Sequence, residues 1–379
     1  MKKLSFCLLL GMLFVFAFGA PKANFALAKN KEQEFAKGYC VIETTSGRVL
    51  AEGNKDLRLP MASTTKIITA ILAIENNDIN KVIEIPAEAV GIEGSSIYLK
   101  QGEHLSINEL LLGLILRSGN DAAVALAIDT FGSVENYQKA ANEFVSSLGL
   151  TNTNIVTPNG LHDDNHYTSA YDLAVITAYA LKNPVFREIV GAKSAKISNE
   201  FGKGPRLLKN KNKMLTDYEG ATGVKTGFTK KAGRCLVSSA KRGDMELVCV
   251  VLSCPDWFNE SAGLLDEAFN NYKLEQVLPE HYHVGKVPCK NSDKEEINLV
   301  AYRGFCYPLS AKEKAAIHVQ TDIKKNIEAP VLTSDIFGKI SIYLENNLLF
   351  EENIYSIEEA KSNKIGDIFG GLWQDFVST

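Results

Sequence analysis

Apolar and polar positions along the chain follow two periods. Near the start, Tyr39 to Thr44 and Arg48 to Glu52 alternate as short strands, with Ser46-Gly47 as the turn between them, which predicts a hairpin at one edge of a sheet. From Ser63 onward Ile67, Ile68, Ala70, Ile71, Leu72 and Ile74 mark a helix, and short extended pieces are expected at Val82 to Ile85 and Ile97 to Leu99. Ser106 and Glu109 match a capping box ahead of a segment apolar nearly all round, Leu110 to Leu116, which predicts a buried central helix. Helices follow at Ala122 to Thr130, at Val134 to Leu148 with Gly149 as the stop, and at Ser169 to Leu181 with Asn183-Pro184 as the stop. Gly223 to Thr229 reads as an extended stretch. Arg234 to Ala240 and Met245 to Leu252 are apolar on both faces, so they belong inside a covered sheet. A helix over Glu260 to Tyr272 closes this part.

The pattern then changes. Residues 279–357 give only short alternating segments, such as Ile297 to Ala301 and Gly338 to Leu344, which predicts a small antiparallel β domain. In the last fifteen residues Ile365, Ile368, Phe369, Leu372, Trp373 and Phe376 fall on one helical face. Such a face at a chain end fits a membrane interface or packs back onto the protein.

With 379 residues the chain is long enough for more than one cored domain. Its 45% apolar and 23% charged content is that of a globular protein. A net charge of −4 without a long basic run argues against a nucleic-acid partner. Lys2 and Lys3, the apolar run Phe6 to Phe18 and Ala26-Leu27-Ala28 predict a secretory signal over residues 1–28. Export permits disulfides, but the six cysteines beyond Cys7 are scattered and no Cys-x-x-Cys pair suggests a metal. Cys40, Cys235 and Cys249 read as small buried hydrophobes; Cys289–Cys306 is the one pairing worth testing.

Three short segments carry candidate chemistry. Ser63 and Lys66 stand three apart at a helix start, so both side chains can enter one cavity, where a partly dry lysine can lose its charge and take the hydroxyl proton. Alone, the spacing equally fits an exposed lysine beside a helix cap. Ser118-Gly119-Asn120 puts a hydroxyl and a carboxamide on a connector between buried helices, and equally fits an ordinary capped turn. Lys225-Thr226-Gly227 offers a cation and a hydroxyl from a strand, with a glycine that lets a ligand approach the backbone. His166 could be a base, but no relay partner is evident, so a loop-fixing role is expected.

In this order, and in an exported chain, the three segments resemble the low-molecular-mass penicillin-binding proteins, the serine D-alanyl-D-alanine carboxypeptidases of peptidase family S11. Ala62-Ser63-Thr64-Thr65-Lys66, Ser118-Gly119-Asn120-Asp121, Pro158-Asn159-Gly160-Leu161 and Gly223-Val224-Lys225-Thr226-Gly227 carry the likeness, which extends over essentially the whole chain. It implies an α/β (α+β) β-lactamase/DD-peptidase-like domain over residues 29–277, an antiparallel sheet covered by helices. A β-sandwich-like domain over 278–360 and an amphipathic anchor over 361–379 would follow.

The resemblance further implies that Ser63 is the nucleophile, Lys66 its base, Ser118 a proton relay and Asn120 a holder of Lys66 and the substrate amide. The backbone N–H groups of Ser63 and Phe228 would form the oxyanion hole, and Lys225, Thr226 and Gly227 would bind the terminal carboxylate. No cofactor or metal is implied. The implied substrate is the D-Ala-D-Ala end of a peptidoglycan stem peptide, with β-lactams as inhibitors, at the extracytoplasmic face of the cell membrane. The same site could act as an endopeptidase on cross-links. A class A β-lactamase would need a glutamate in the loop Asn159 to Tyr167, which holds only Asp163 and Asp164. A non-catalytic wall-binding protein would not need these residues intact. Many relatives carry an arginine after the last long strand; here Cys254 to Glu260 has none.

Overall fold

The structure, a computed structural model, describes residues 35–364. The predicted signal 1–28 and the apolar face from Ile365 onward lie outside the described residues. In chain order the first elements are β1 (Gly38–Glu43), β2 (Val49–Gly53), α1 (Lys66–Glu75), β3 (Val82–Glu84), β4 (His104–Ser106), α2 (Ile107–Leu116), α3 (Asn120–Phe131), α4 (Val134–Ser147) and α5 (Ala170–Ala180). Then come α6 (Pro184–Gly191), β5 (Ser194–Ile197), β6 (Arg206–Lys209), α7 (Met214–Asp217), β7 (Ala221–Thr229), β8 (Gly233–Arg242), β9 (Met245–Leu252) and α8 (Trp257–Asn271).

The central sheet is antiparallel, with strand order β2-β1-β9-β8-β7. The β1–β2 hairpin forms one edge, as its turn signal predicts, and β7 forms the other. Side chains alternate across it. Cys40, Ile42, Val237, Val248 and Val250 join the core shared with α1 to α6, while Val41, Leu236, Leu247, Cys249 and Val251 join a second core under α8. Every residue of β9 is buried, which is why the strand shows no polar face in the sequence.

Several local expectations need correction. Ile97 to Leu99 is not a strand: β3 pairs with β4, and the N–H groups of Ile97 and Leu99 donate to the Asp121 carboxylate. Asn183-Pro184 does not simply end α5. Asn183 caps α6 and Pro184 is its first residue, where the missing N–H costs nothing. Ser63 does not sit on a regular α-helix: Ala62–Thr65 forms a 3₁₀ turn, and α1 begins at Lys66. The capping box at Ser106 and Glu109 is formed.

The rest of the described chain is β10 (Lys273–Leu278), β11 (Tyr282–Lys290), β12 (Glu296–Ala301), β13 (Phe305–Leu309), α9 (Ala311–Ala316), β14 (Ile317–Ile323), β15 (Ile327–Glu328), β16 (Ile336–Leu344) and β17 (Asn347–Ser356). They make a six-stranded sheet and the β10–β13 pair around their own core, which includes Ile297, Leu299, Ile340, Ile342 and Ile354. Arg48, just before β2, reaches this part. It donates to the Pro308 carbonyl, pairs with Glu313, and lies over the rings of Tyr272 and Tyr307. Cys289 and Cys306 are both free thiols, the first buried and the second exposed, so the candidate pairing is not made.

Candidate active site

The 3₁₀ turn and the first turn of α1 present Ser63 and Lys66 side by side. Lys66 is fully buried, and its Nζ stands 3.0 Å from Ser63 Oγ and 2.7 Å from Asn120 Oδ1; it also meets the Asn159 carbonyl oxygen. The two oxygens other than Ser63 accept only. A neutral amine has two N–H donors and one lone pair, so two donors satisfied by Asn120 and Asn159 leave the lone pair for the Ser63 hydroxyl. Burial, then the neighbouring Lys225 cation, hold the Lys66 amine well below the ordinary lysine range, and Asp121 opposes them.

Asn120 is the first residue of α3. Its N–H donates to Ser95 O at 2.7 Å and its Nδ2 to the Glu93 carbonyl, which fixes the oxygen toward Lys66. Ser118, two residues earlier, has φ +62° and lines the same cavity as Ser63.

β7 closes the other side. Lys225 is buried, and its Nζ donates to Thr226 O at 2.7 Å. Burial and the Lys211 cation push its pKa down to about 7. Gly227 lies against the nucleophile turn. A Cβ there would stand 3.0 Å from Ser63 N and 3.1 Å from Thr64 N, so a larger residue would press the strand and the turn apart by a few tenths of an ångström. Thr226, Gly227 and Phe228 line a cavity of about 650 Å³ with Ser63 and Ser118.

The loop before α5 holds the nucleophile turn from behind. Thr69 Oγ1 donates to Pro158 O at 2.6 Å, and Gly160, at φ +79°, packs on the carbonyl of Ala62, itself at φ +48°. His166 is buried, and burial lowers its pKa to about 4, so the ring is neutral. Its Nδ1 accepts from Val156 N at 2.9 Å, so the proton is on Nε2, which donates to Thr65 Oγ1 at 2.7 Å. That hydroxyl in turn donates to Ala62 O at 2.8 Å. His166 therefore fixes the loop, the role expected of it. Asp163 accepts from Asn165 N and Asp164 stands beside His162; neither lines the cavity that holds Ser63.

Sequence reasoning brought Ser63, Lys66, Ser118, Asn120 and the β7 segment together. It missed the cationic rim, where Lys211, Lys213 and Arg234 line the cavity with Trp257 and Phe258. Lys211 and Lys213 flank Asn212 in a short polar run before α7, and Arg234 reads as an ordinary strand start.

A cavity-lining serine beside a buried lysine, facing a cationic strand, defines a serine acyl-transfer enzyme of the penicillin-recognising fold. The family model described as D-alanyl-D-alanine carboxypeptidase matches residues 25–256, and that of the C-terminal domain of penicillin-binding protein 5 matches residues 272–362. D-alanyl-D-alanine carboxypeptidase DacF of Bacillus subtilis is 33% identical over 372 residues, covering 95% of each chain. DacC of Escherichia coli is 32% identical over 388 residues, covering 97% of this chain and 94% of the relative. The crystal structure of penicillin-binding protein 5 from Haemophilus influenzae superposes with a TM-score of 0.74 at 28% identity, covering 86% of this chain and 98% of that one. The chain belongs to the D-alanyl-D-alanine carboxypeptidase family of serine peptidases. Its relatives carry the carboxypeptidase name, and cleavage of cross-links is not favoured.

Proposed function

We propose that Ser63 removes the terminal D-alanine of peptidoglycan stem peptides through an acyl-enzyme. Lys66 takes the Ser63 proton as Oγ bonds to the carbonyl carbon of the penultimate D-alanine. The backbone N–H groups of Ser63 and Phe228 receive the oxyanion. The C–N bond breaks as Ser118 passes a proton to the departing nitrogen, and water then cleaves the ester, returning Ser63. Asn120 orients Lys66 and the substrate amide, while Lys225 and Thr226, with Gly227 giving clearance, bind the leaving carboxylate. β-Lactams acylate the same oxygen because their carbonyl and carboxylate have the same relation.

The observation that carries this reading is the fully buried Lys66 amine held by Asn120 Oδ1 and the Asn159 carbonyl with its Nζ 3.0 Å from Ser63 Oγ. Intact-protein mass spectrometry after penicillin exposure tests it. The wild-type protein gains one penicillin mass and Ser63→Ala gains none with the fold retained; labelling of the variant would reassign the nucleophile.

We further propose that the chain is exported by residues 1–28 and held at the outer face of the cell membrane by the apolar face from Ile365 to Phe376. The helical spacing of Ile365, Ile368, Phe369, Leu372, Trp373 and Phe376 supports the reading. Deleting residues 365–379 should leave mature protein in the supernatant after sedimentation with lipid vesicles; continued sedimentation contradicts the anchor.

A further inference from the structure

β8 enters the sheet at the mouth of the cavity. Its second residue, Arg234, pairs with Phe228, and Leu236 pairs with Thr226. Directly opposed residues and alternate residues along a strand share a face, so Arg234 stands on the face of Thr226, one diagonal step away and within reach of a long side chain. The guanidinium is propped from below. One N–H donates to Pro255 O at 2.8 Å, and its carbon lies 5.9 Å from the centre of the Trp257 ring. Both supports come from Cys254 to Glu260, the segment in which this chain lacks an arginine.

Three of the other charges at the site each have a partner within the protein. Asp256, the one acid among the described lining residues, accepts from Asn259 Nδ2 at 3.1 and 3.0 Å. Lys211 donates to Ser95 Oγ at 3.0 Å, and Lys225 to the Thr226 carbonyl. A guanidinium has five N–H donors in a fixed fork, and Pro255 takes one. We propose that Arg234, acting with the Thr226 hydroxyl, recognises the free carboxylate of the leaving residue, and so makes the enzyme select a chain end that is an acid. The assignment rests on the function proposed above. A fork matches a carboxylate with two parallel hydrogen bonds, which a lysine cannot reproduce.

The test compares diacetyl-L-Lys-D-Ala-D-Ala with the same peptide ending in a carboxamide. Full-length wild-type, Arg234→Gln, Arg234→Lys and Lys213→Gln proteins are used, each checked by thermal unfolding. Wild-type protein should prefer the acid in kcat/KM. Arg234→Gln should shrink that preference roughly tenfold, the low end for a hydrogen bond to a charged group because the side chain is exposed, and mainly through KM. Arg234→Lys should fall between the two. An unchanged acid-to-amide ratio in Arg234→Gln, an equal loss on both peptides, or a collapse of the ratio in Lys213→Gln instead, would overturn the assignment while leaving the carboxypeptidase reading standing. Failure of the wild-type protein to release either product or to bind penicillin would overturn both.

Discussion

Replacing Gly160 by alanine tests how the nucleophile is held. The new Cβ would stand 2.0 Å from Ala62 O, 2.5 Å from Ala62 C and 2.9 Å from Thr65 Oγ1. Relief requires the loop and the nucleophile turn to part by at least about 1 Å, because carbon and oxygen at van der Waals contact are more than ~3 Å apart. The Ala62 carbonyl is not free to swing, since it accepts from Thr65 and is bonded to Ser63. Two costs add. Alanine at φ +79° costs roughly 1–2 kcal/mol, and overpacking a rigid site costs roughly 1–3 kcal/mol. The sum lowers Tm on the order of 10 °C. A shift of about 1 Å at a reacting atom costs on the order of a hundredfold in rate. The assay is the second-order rate of acylation by a fluorescent penicillin, measured well below the variant's Tm. Loss of stability with an unchanged acylation rate would show that residues 156–166 do not position Ser63.

The pH dependence of acylation follows from the two lysines. Lys66 must be neutral to take a proton, so the rate rises as pH passes through its depressed titration. Lys225 must be charged to attract a carboxylate, and its pKa is pushed down to about 7, so the rate falls above about pH 7 in the free enzyme. The pair titrates jointly, giving a bell with apparent values for both groups. A plateau extending to the ordinary lysine range would refute the arrangement. Thiol chemistry checks the cysteine assignments. Among the described cysteines a maleimide should modify only Cys306 in the native protein and the other five after unfolding, because burial both shields them and pushes Cys235 up to about 11 and Cys249 up to about 12. Quantitative loss of free thiol at Cys289 and Cys306 together would restore the disulfide.

What was legible in the sequence was what is decided locally. Ser106 and Glu109 cap their own helix, Ser63 and Lys66 share one face by spacing, and β9 is apolar because both its faces are covered. What was illegible depends on backbone groups meeting across the fold. The Asn159 carbonyl on Lys66, the Ala62 carbonyl under Gly160 and the His166–Thr65 bond leave no side-chain signature at either partner. The β5–β6 hairpin went unseen because its strands are only four residues long, β6 has no alternation, and a glycine-containing stretch, residues 198–205, separates them. Pro184 misled because proline both stops one helix and starts the next.

Two members of the site, Ala62 and Ser118, adopt left-handed backbone although neither is glycine. Each such residue stores on the order of 1 kcal/mol that surrounding contacts must outweigh. Glycine at either position would relax that tension and favour a more heat-resistant protein, at Ala62 while loosening the aim of the Ser63 hydroxyl beside it and at Ser118 while removing the relay hydroxyl itself. Thermal hardiness and catalytic power are therefore set against each other at these two positions, and selection for the first alone would erode the second there.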